Sequence, residues 1–137
     1  MSKSIGIDFG TSNTLIALWD ETNGQSSTLN LPEFCRASRQ GDETVYITPS
    51  LIHYSADRRR WIGQQIIERG LYGSPRTMRW MKRYISQRSP VKYRFDDEEI
   101  TPARAAADYL ASLISFTAHE TSLADCAIGL SVPVEAF

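Results

Sequence analysis

Cysteine and histidine are scarce in this 137-residue chain. Cys35 and Cys126 stand far apart, and His53 and His119 have no thiol, imidazole or carboxylate at metal-ligand spacing. The two thiols leave one pairing open but suggest no disulfide framework, zinc site or Cys-His nucleophile. No apolar stretch approaches the roughly 20 residues of a membrane span. The run at residues 5–7 is too short, and meets Asp8 too soon, to be a secretory leader. A net charge of -1, from 15 basic and 16 acidic residues, offers no broad footprint for nucleic acid or an anionic membrane. Internal repeats and low-complexity tracts are absent, as are the fingerprints G-x-x-x-x-G-K-[ST] and G-x-G-x-x-G. With 42% hydrophobic and 23% charged residues, the expectation is one domain around one core. A soluble, cytoplasmic protein with neither nucleic-acid nor membrane partners is expected.

What is present begins at the first residues. Residues 4–8 read as a short buried strand, 10–13 as a small-residue turn, and 14–19 as a second strand rich in β-formers. Asn23-Gly24 signals a hairpin turn, so residues 26–31 form a third strand, which Pro32 ends. Residues 33–44 look like an irregular loop. Strand candidates follow at 45–47 and 51–54 around Thr48-Pro49-Ser50, and residues 57–60 read as a polar turn before Trp61-Ile62. Residues 64–69 form a short helix ended by Gly70, and 76–85 a second helix. Residues 91–95 alternate as a strand, and Asp96-Asp97-Glu98-Glu99 reads as an acidic turn. Thr101 caps a longer helix with Pro102 in its first position. Ala106, Leu110, Leu113, Ile114 and Thr117 share its apolar face, and its end is expected near Glu120. Residues 127–132 are a nearly continuous apolar run, as for a parallel strand covered on both faces. The first and last strands can then be neighbours in one mixed sheet. The segment at about residues 41–100 reads as a small α+β subdomain inserted at its edge.

The chemistry is concentrated in Asp8-Phe9-Gly10-Thr11-Ser12-Asn13-Thr14. A strand carries a carboxylate to its end, and Gly10 opens backbone angles closed to other residues and leaves no side chain in the way. The amides that follow can face one concavity, an anion nest, with hydroxyls from Thr11 and Ser12. Asp8 can hold Mg²⁺ through water, because Mg²⁺ sheds its hydration shell reluctantly. A tight hairpin whose Asp and Gly serve only the turn has the same spelling. Asp8-Phe9-Gly10 also spells a protein-kinase metal motif, but the residues before it hold neither a glycine-rich loop nor a strand lysine.

Ile5-Gly6-Ile7 together with this hairpin resembles the first phosphate loop of the actin, sugar-kinase and heat-shock chaperone superfamily. Four further stretches resemble the heat-shock protein 70 (DnaK-type) chaperones. These are Thr48-Pro49-Ser50; Trp61-Ile62-Gly63 entering a helix at Gln64; Lys82-Arg83-Tyr84-Ile85; and the strand running from Asp125-Cys126 to Val132-Pro133. Only the first motif is specific alone, but all five occur in order along nearly the whole chain. Two departures mark a divergent branch: Val134-Glu135-Ala136-Phe137 after Val-Pro, and a longer, more basic stretch at residues 69–79.

The resemblance implies an α/β, ribonuclease H-like (actin-like ATPase) mixed sheet with a flanking helix. It implies ATP or ADP with Mg as ligands, ATP hydrolysis, and unfolded client peptides and co-chaperones as partners of the full-length protein. Gly10, Thr11, Ser12 and Asn13 would hold phosphates, and Asp8 the hydrated Mg. Lys82 matches a lysine that reaches toward the γ-phosphate and attacking water, where a cation stabilises developing charge; otherwise it is a solvated helix lysine. Only the beginning of a chaperone nucleotide-binding domain is matched, so the chain by itself is expected to be an N-terminal fragment without turnover. A filament-forming bacterial actin and a sugar or acetate kinase are the competing expectations. The basic residues Arg76, Arg79, Lys82, Arg83 and Arg88 are expected to form a solvated face balanced by residues 96–99. Arg58-Arg59-Arg60 reads as an exposed turn, and Trp19, Trp61 and Trp80 as packing residues.

Overall fold

A computed structural model describes residues 3–120 and 126–131. The expectations for Asp125, for Val132-Pro133 and for residues 134–137 lie outside them. The first strand, β1 (Lys3–Phe9), pairs antiparallel with β2 (Asn13–Asp20) in a register running from Lys3↔Asp20 to Phe9↔Thr14. Successive side chains of a strand alternate between faces. Ile5, Ile7 and Phe9 are accordingly buried, while Gly6 and Asp8 are open to solvent.

The outer edge of β2 is shared. Its second half, Ala17 to Asp20, pairs with β3 (Gln25–Thr28); its first residues, Asn13 and Thr14, pair with Pro49 and Thr48 of β5 (Glu43–Pro49). Strand β3 is shorter than expected. The chain leaves the ladder before Leu31, whose side chain is buried in the core. The supposed loop at residues 33–44 contains β4 (Arg36–Gln40), which returns against β5 across a Gly41-Asp42 turn. Its sequence, Arg-Ala-Ser-Arg-Gln, is polar on both faces because the strand lies at the sheet edge, so alternation could not reveal it.

Beyond Pro49, β6 (Ile52–Tyr54) is the centre of a three-stranded sheet with β7 (Arg60–Ile62) and β8 (Thr77–Met78). Helix α1 (Gln64–Glu68) follows β7 and ends before Gly70, as expected. The helix expected at residues 76–85 is corrected. Thr77-Met78 is a strand paired to His53 and Ile52, and α2 covers only Met81–Ser86. Trp80, at φ 58 and ψ 31, takes the left-handed conformation and separates the two. The acidic turn is also shorter. Asp96 and Asp97 alone make it, both at positive φ, between β9 (Tyr93–Phe95) and β10 (Glu98–Ile100). Two central residues with φ above zero match the twist of a hairpin.

Helix α3 (Pro102–Glu120) begins as its sequence predicts: the Arg104 amide donates to the Thr101 hydroxyl at 3.1 Å. Its buried stripe is Ala105, Ala106, Tyr109, Leu113 and Thr117, with Leu110 and Ile114 half-buried beside it. The stripe shares the core with Ile5, Ile7 and Phe9, and the Phe9 and Tyr109 ring centres are 5.9 Å apart. The chain then adds β11 (Cys126–Leu130), parallel to β1 with Ile5↔Ile128 and Ile7↔Leu130 in register. The order β3-β2-β1-β11 thus joins an antiparallel meander to a parallel strand that follows a helix. The expectation of a strand covered on both faces is wrong: β11 is at the sheet edge, and Ile128 and Leu130 are 46% and 48% exposed. The chain is mixed α/β, and among the described residues no helix is long and apolar enough to cross a membrane.

Candidate functional site

The bend between β1 and β2 is closed by one short contact. The Gly10 amide donates to the Asn13 carbonyl at 2.9 Å, and a Cβ on Gly10 would lie 2.4 Å from that oxygen. Of the two reasons expected for Gly10, the special backbone angle does not apply, since its φ is not in the left-handed region, and the need for no side chain does. What excludes a side chain is the approach of the Asn13 backbone. The amides of Thr11 and Ser12, at the tip, donate to no described residue. They remain available as donors, as do the two hydroxyls.

The tip is braced from β5. Ser50 donates its amide to the Ser12 carbonyl at 2.9 Å and its hydroxyl to the Gly10 carbonyl at 2.8 Å. The Ser50 hydroxyl also meets the buried Thr14 hydroxyl at 2.8 Å, and Tyr109 donates to Thr14 at 2.9 Å. Burial raises the pKa of the Tyr109 phenol, so it stays a neutral donor. A chain of hydroxyls therefore fixes the hairpin from a helix, a strand and a turn. The Thr48-Pro49-Ser50 motif supplies this brace. It also meets Gly63, where φ is 61 and a Cβ would lie 2.5 Å from the Phe34 carbonyl and 2.7 Å from the Thr48 methyl. Two motifs separated in sequence thus pack on each other.

Asp8 is exposed at the end of β1. Its Oδ1 accepts from the Ser131 hydroxyl at 3.1 Å, and the same hydroxyl accepts from the Phe9 amide, also at 3.1 Å. Ser131, just after β11, therefore orients the carboxylate while leaving its other oxygen without a partner among the described residues. Asp8 makes no ion pair there either. Those residues contain no group of three or more His, Cys, Asp or Glu able to enclose a metal. One fixed carboxylate beside free amides and hydroxyls suits a hydrated Mg²⁺ carried by a phosphate better than a protein-enclosed ion.

The structure places Asp8, Gly10, Thr11, Ser12 and Asn13 on one hairpin. Lys82 lies apart from them on α2, half-buried, with no ion-pair partner among the described residues. A cleft of about 160 Å³ lies beside the hairpin tip. Thr11, Ser12 and Asn13 line it together with Tyr72, Arg79 and Trp80 and with Arg36 of β4; neither Lys82 nor Asp8 is in its lining. Arg36 escaped the sequence reading because it lay in a supposed loop. Arg79 was counted among solvated charges. Of the basic residues expected to be balanced by residues 96–99, only Arg76 is, through an ion pair with Asp96. Trp80 lines the cleft, and Trp19 is 42% exposed and so does not pack as expected.

No protein-family model matches this chain.

Proposed function

We propose that the β1–β2 hairpin holds the phosphates of ATP or ADP and that Asp8 holds the accompanying Mg²⁺ through water. On this reading the sheet is ribonuclease H-like, of the actin-like ATPase kind. The chain corresponds to the first part of a heat-shock protein 70-type nucleotide-binding domain. One observation carries the reading: an exposed carboxylate, unpaired tip amides and two free hydroxyls stand together on a hairpin locked by Gly10 and braced by Ser50. Rigid donors directed at phosphate oxygens lower the ordering cost of binding. The order β3-β2-β1-β11 supports the same reading, since the parallel strand brings Ser131 to Asp8.

Magnesium, when bound, neutralises charge on the phosphate oxygens. The chain's own part is to present the Thr11 and Ser12 amides, orient Asp8 and keep the loop from collapsing. Lys82, on α2 and apart from the hairpin, is the cation proposed to act on the terminal phosphate in turnover. Client peptides and co-chaperones, and a cytoplasmic location, belong to the proposal through the ordered motifs alone. The test is a titration with ATP and ADP in the presence of Mg²⁺. Binding that weakens in Asp8→Asn while the fold is retained supports the assignment; undiminished binding in that variant removes Asp8 from it.

A further inference from the structure

Arg36 and Arg79 face the same cleft as the hairpin tip, and neither has a carboxylate partner among the described residues. The lining contains no acidic side chain at all. Arg79 is also fixed in place. Its Nη1 donates to the Tyr72 carbonyl at 3.0 Å, and its guanidinium carbon lies 5.0 Å from the Tyr72 ring centre and 4.8 Å from that of Trp80. Trp80 holds its position through a left-handed backbone at φ 58. A guanidinium held by two aromatic rings and one carbonyl keeps other N–H groups for a ligand. Its planar fork suits phosphate oxygens.

We propose that this cleft is a polyphosphate site: Arg79, assisted by Arg36, binds the outermost phosphate of a chain whose inner phosphates lie on the amides of Thr11 and Ser12. The inference rests on the reading of the hairpin as a phosphate loop and adds to it the group that measures chain length. On this proposal a triphosphate engages both the tip and the arginines, whereas a monophosphate engages only one of them. The cations here are arginines, which stay charged at any working pH. They come from β4 and from the turn before α2, and Ser50, which braces the Gly10 carbonyl, lines the same cleft.

The experiment is calorimetric titration of the protein with tripolyphosphate, pyrophosphate and orthophosphate at low ionic strength, repeated with MgATP. The parent, Arg79→Ala, Arg79→Lys and Arg36→Ala are compared with Arg94→Gln, which removes one exposed positive charge elsewhere. Tripolyphosphate is expected to bind most tightly. Arg79→Ala should weaken it roughly tenfold or more, the scale of a lost charge-assisted hydrogen bond. Arg79→Lys should weaken it less, and Arg94→Gln hardly at all. Equal affinity in the parent and Arg79→Ala, or equal losses in Arg79→Ala and Arg94→Gln, overturns the proposal. If MgATP binds and Arg79 has no effect, the cleft assignment fails while the phosphate-loop reading stands. If tripolyphosphate binds through Arg79 and MgATP does not bind, the cleft stands and the nucleotide reading fails. Absence of binding by every anion overturns both.

Discussion

The Tyr109 phenol on α3 donates to the Thr14 hydroxyl on β2 at 2.9 Å, and Thr14 in turn meets Ser50 at 2.8 Å. A helix residue thereby supports a hairpin that lies 95 positions earlier in the chain. Both Tyr109 and Thr14 are fully buried, so the bond is made where water cannot replace it. Tyr109→Phe removes the one buried proton that the Thr14 hydroxyl, and the Pro49 carbonyl 3.1 Å from the phenol oxygen, can accept from it. The expected loss is about 1–3 kcal/mol, read as a lower urea midpoint with an unchanged slope. A stability equal to the parent's would show that the hydroxyl chain re-forms without the phenol.

Gly63 carries a second structural demand. Its φ is 61, and any Cβ would overlap the Phe34 carbonyl and the Thr48 methyl. Gly63→Ala must shift backbone rather than a flexible side chain, so a loss of about 2 kcal/mol or more is expected in chemical denaturation. Gly41→Ala provides the comparison, because it shares a positive φ of 63 but has open space around it. Gly41→Ala should cost less, about 1 kcal/mol. Equal losses would mean that the contacts at Gly63 relax freely.

Strands β1, β2 and β3 could be read from the sequence through β-forming residues and the Asn23-Gly24 turn, and β11 through its apolar run. The start of α3 was legible in Thr101-Pro102, whereas its packing on Ile5, Ile7 and Phe9 came only with the structure. What escaped did so for identifiable reasons. β4 is polar on both faces, so it has no alternation to detect. Thr77-Met78 is too short a strand to outweigh the helical spacing around it, and only the left-handed Trp80 divides it from α2. The Asp8 hairpin was legible as a strand, a small-residue turn and a second strand, and its spelling left open whether Asp8 and Gly10 serve a phosphate or only the turn. Its supports were not legible. Ser131 and Tyr109 reach the hairpin only through tertiary packing, and Arg36 and Arg79 meet only when β4 and the Trp80 turn are in place.

His53 makes stability depend on pH. It is 5% exposed, its Nδ1 lies 2.8 Å from the Thr77 hydroxyl, and burial, then the Arg76 charge, lower its pKa below the ordinary 6.5. The unfolded chain therefore takes up a proton that the folded chain refuses. The contribution of neutral His53 is fully present above about pH 6.5 and is lost as pH falls through that value toward the lower folded pKa. Urea midpoints should fall between pH 7.5 and 5.5, and His53→Gln should flatten that slope. A slope preserved in His53→Gln would assign it to other groups.

The role proposed for Lys82 is in turnover rather than in binding. It stands outside the lining of the cleft, so Lys82→Ala should leave ATP affinity within about twofold. An interaction formed mainly in the transition state should instead appear in the rate. In the longer ATPase that the proposed function implies, single-turnover hydrolysis should fall by roughly 10²-fold or more. Lost affinity with an unchanged chemical rate would contradict that role.

The role proposed for Asp8 and the hairpin tip, holding a Mg-bearing phosphate chain, can be measured by calorimetric titration of ATP into the parent and Asp8→Asn, each with Mg²⁺ and with chelator. Mg²⁺ should strengthen ATP binding to the parent, and this gain should be lost in Asp8→Asn while its unfolding midpoint remains close to the parent's. An equal Mg²⁺ gain in both proteins, or no ATP binding by the parent, would contradict it.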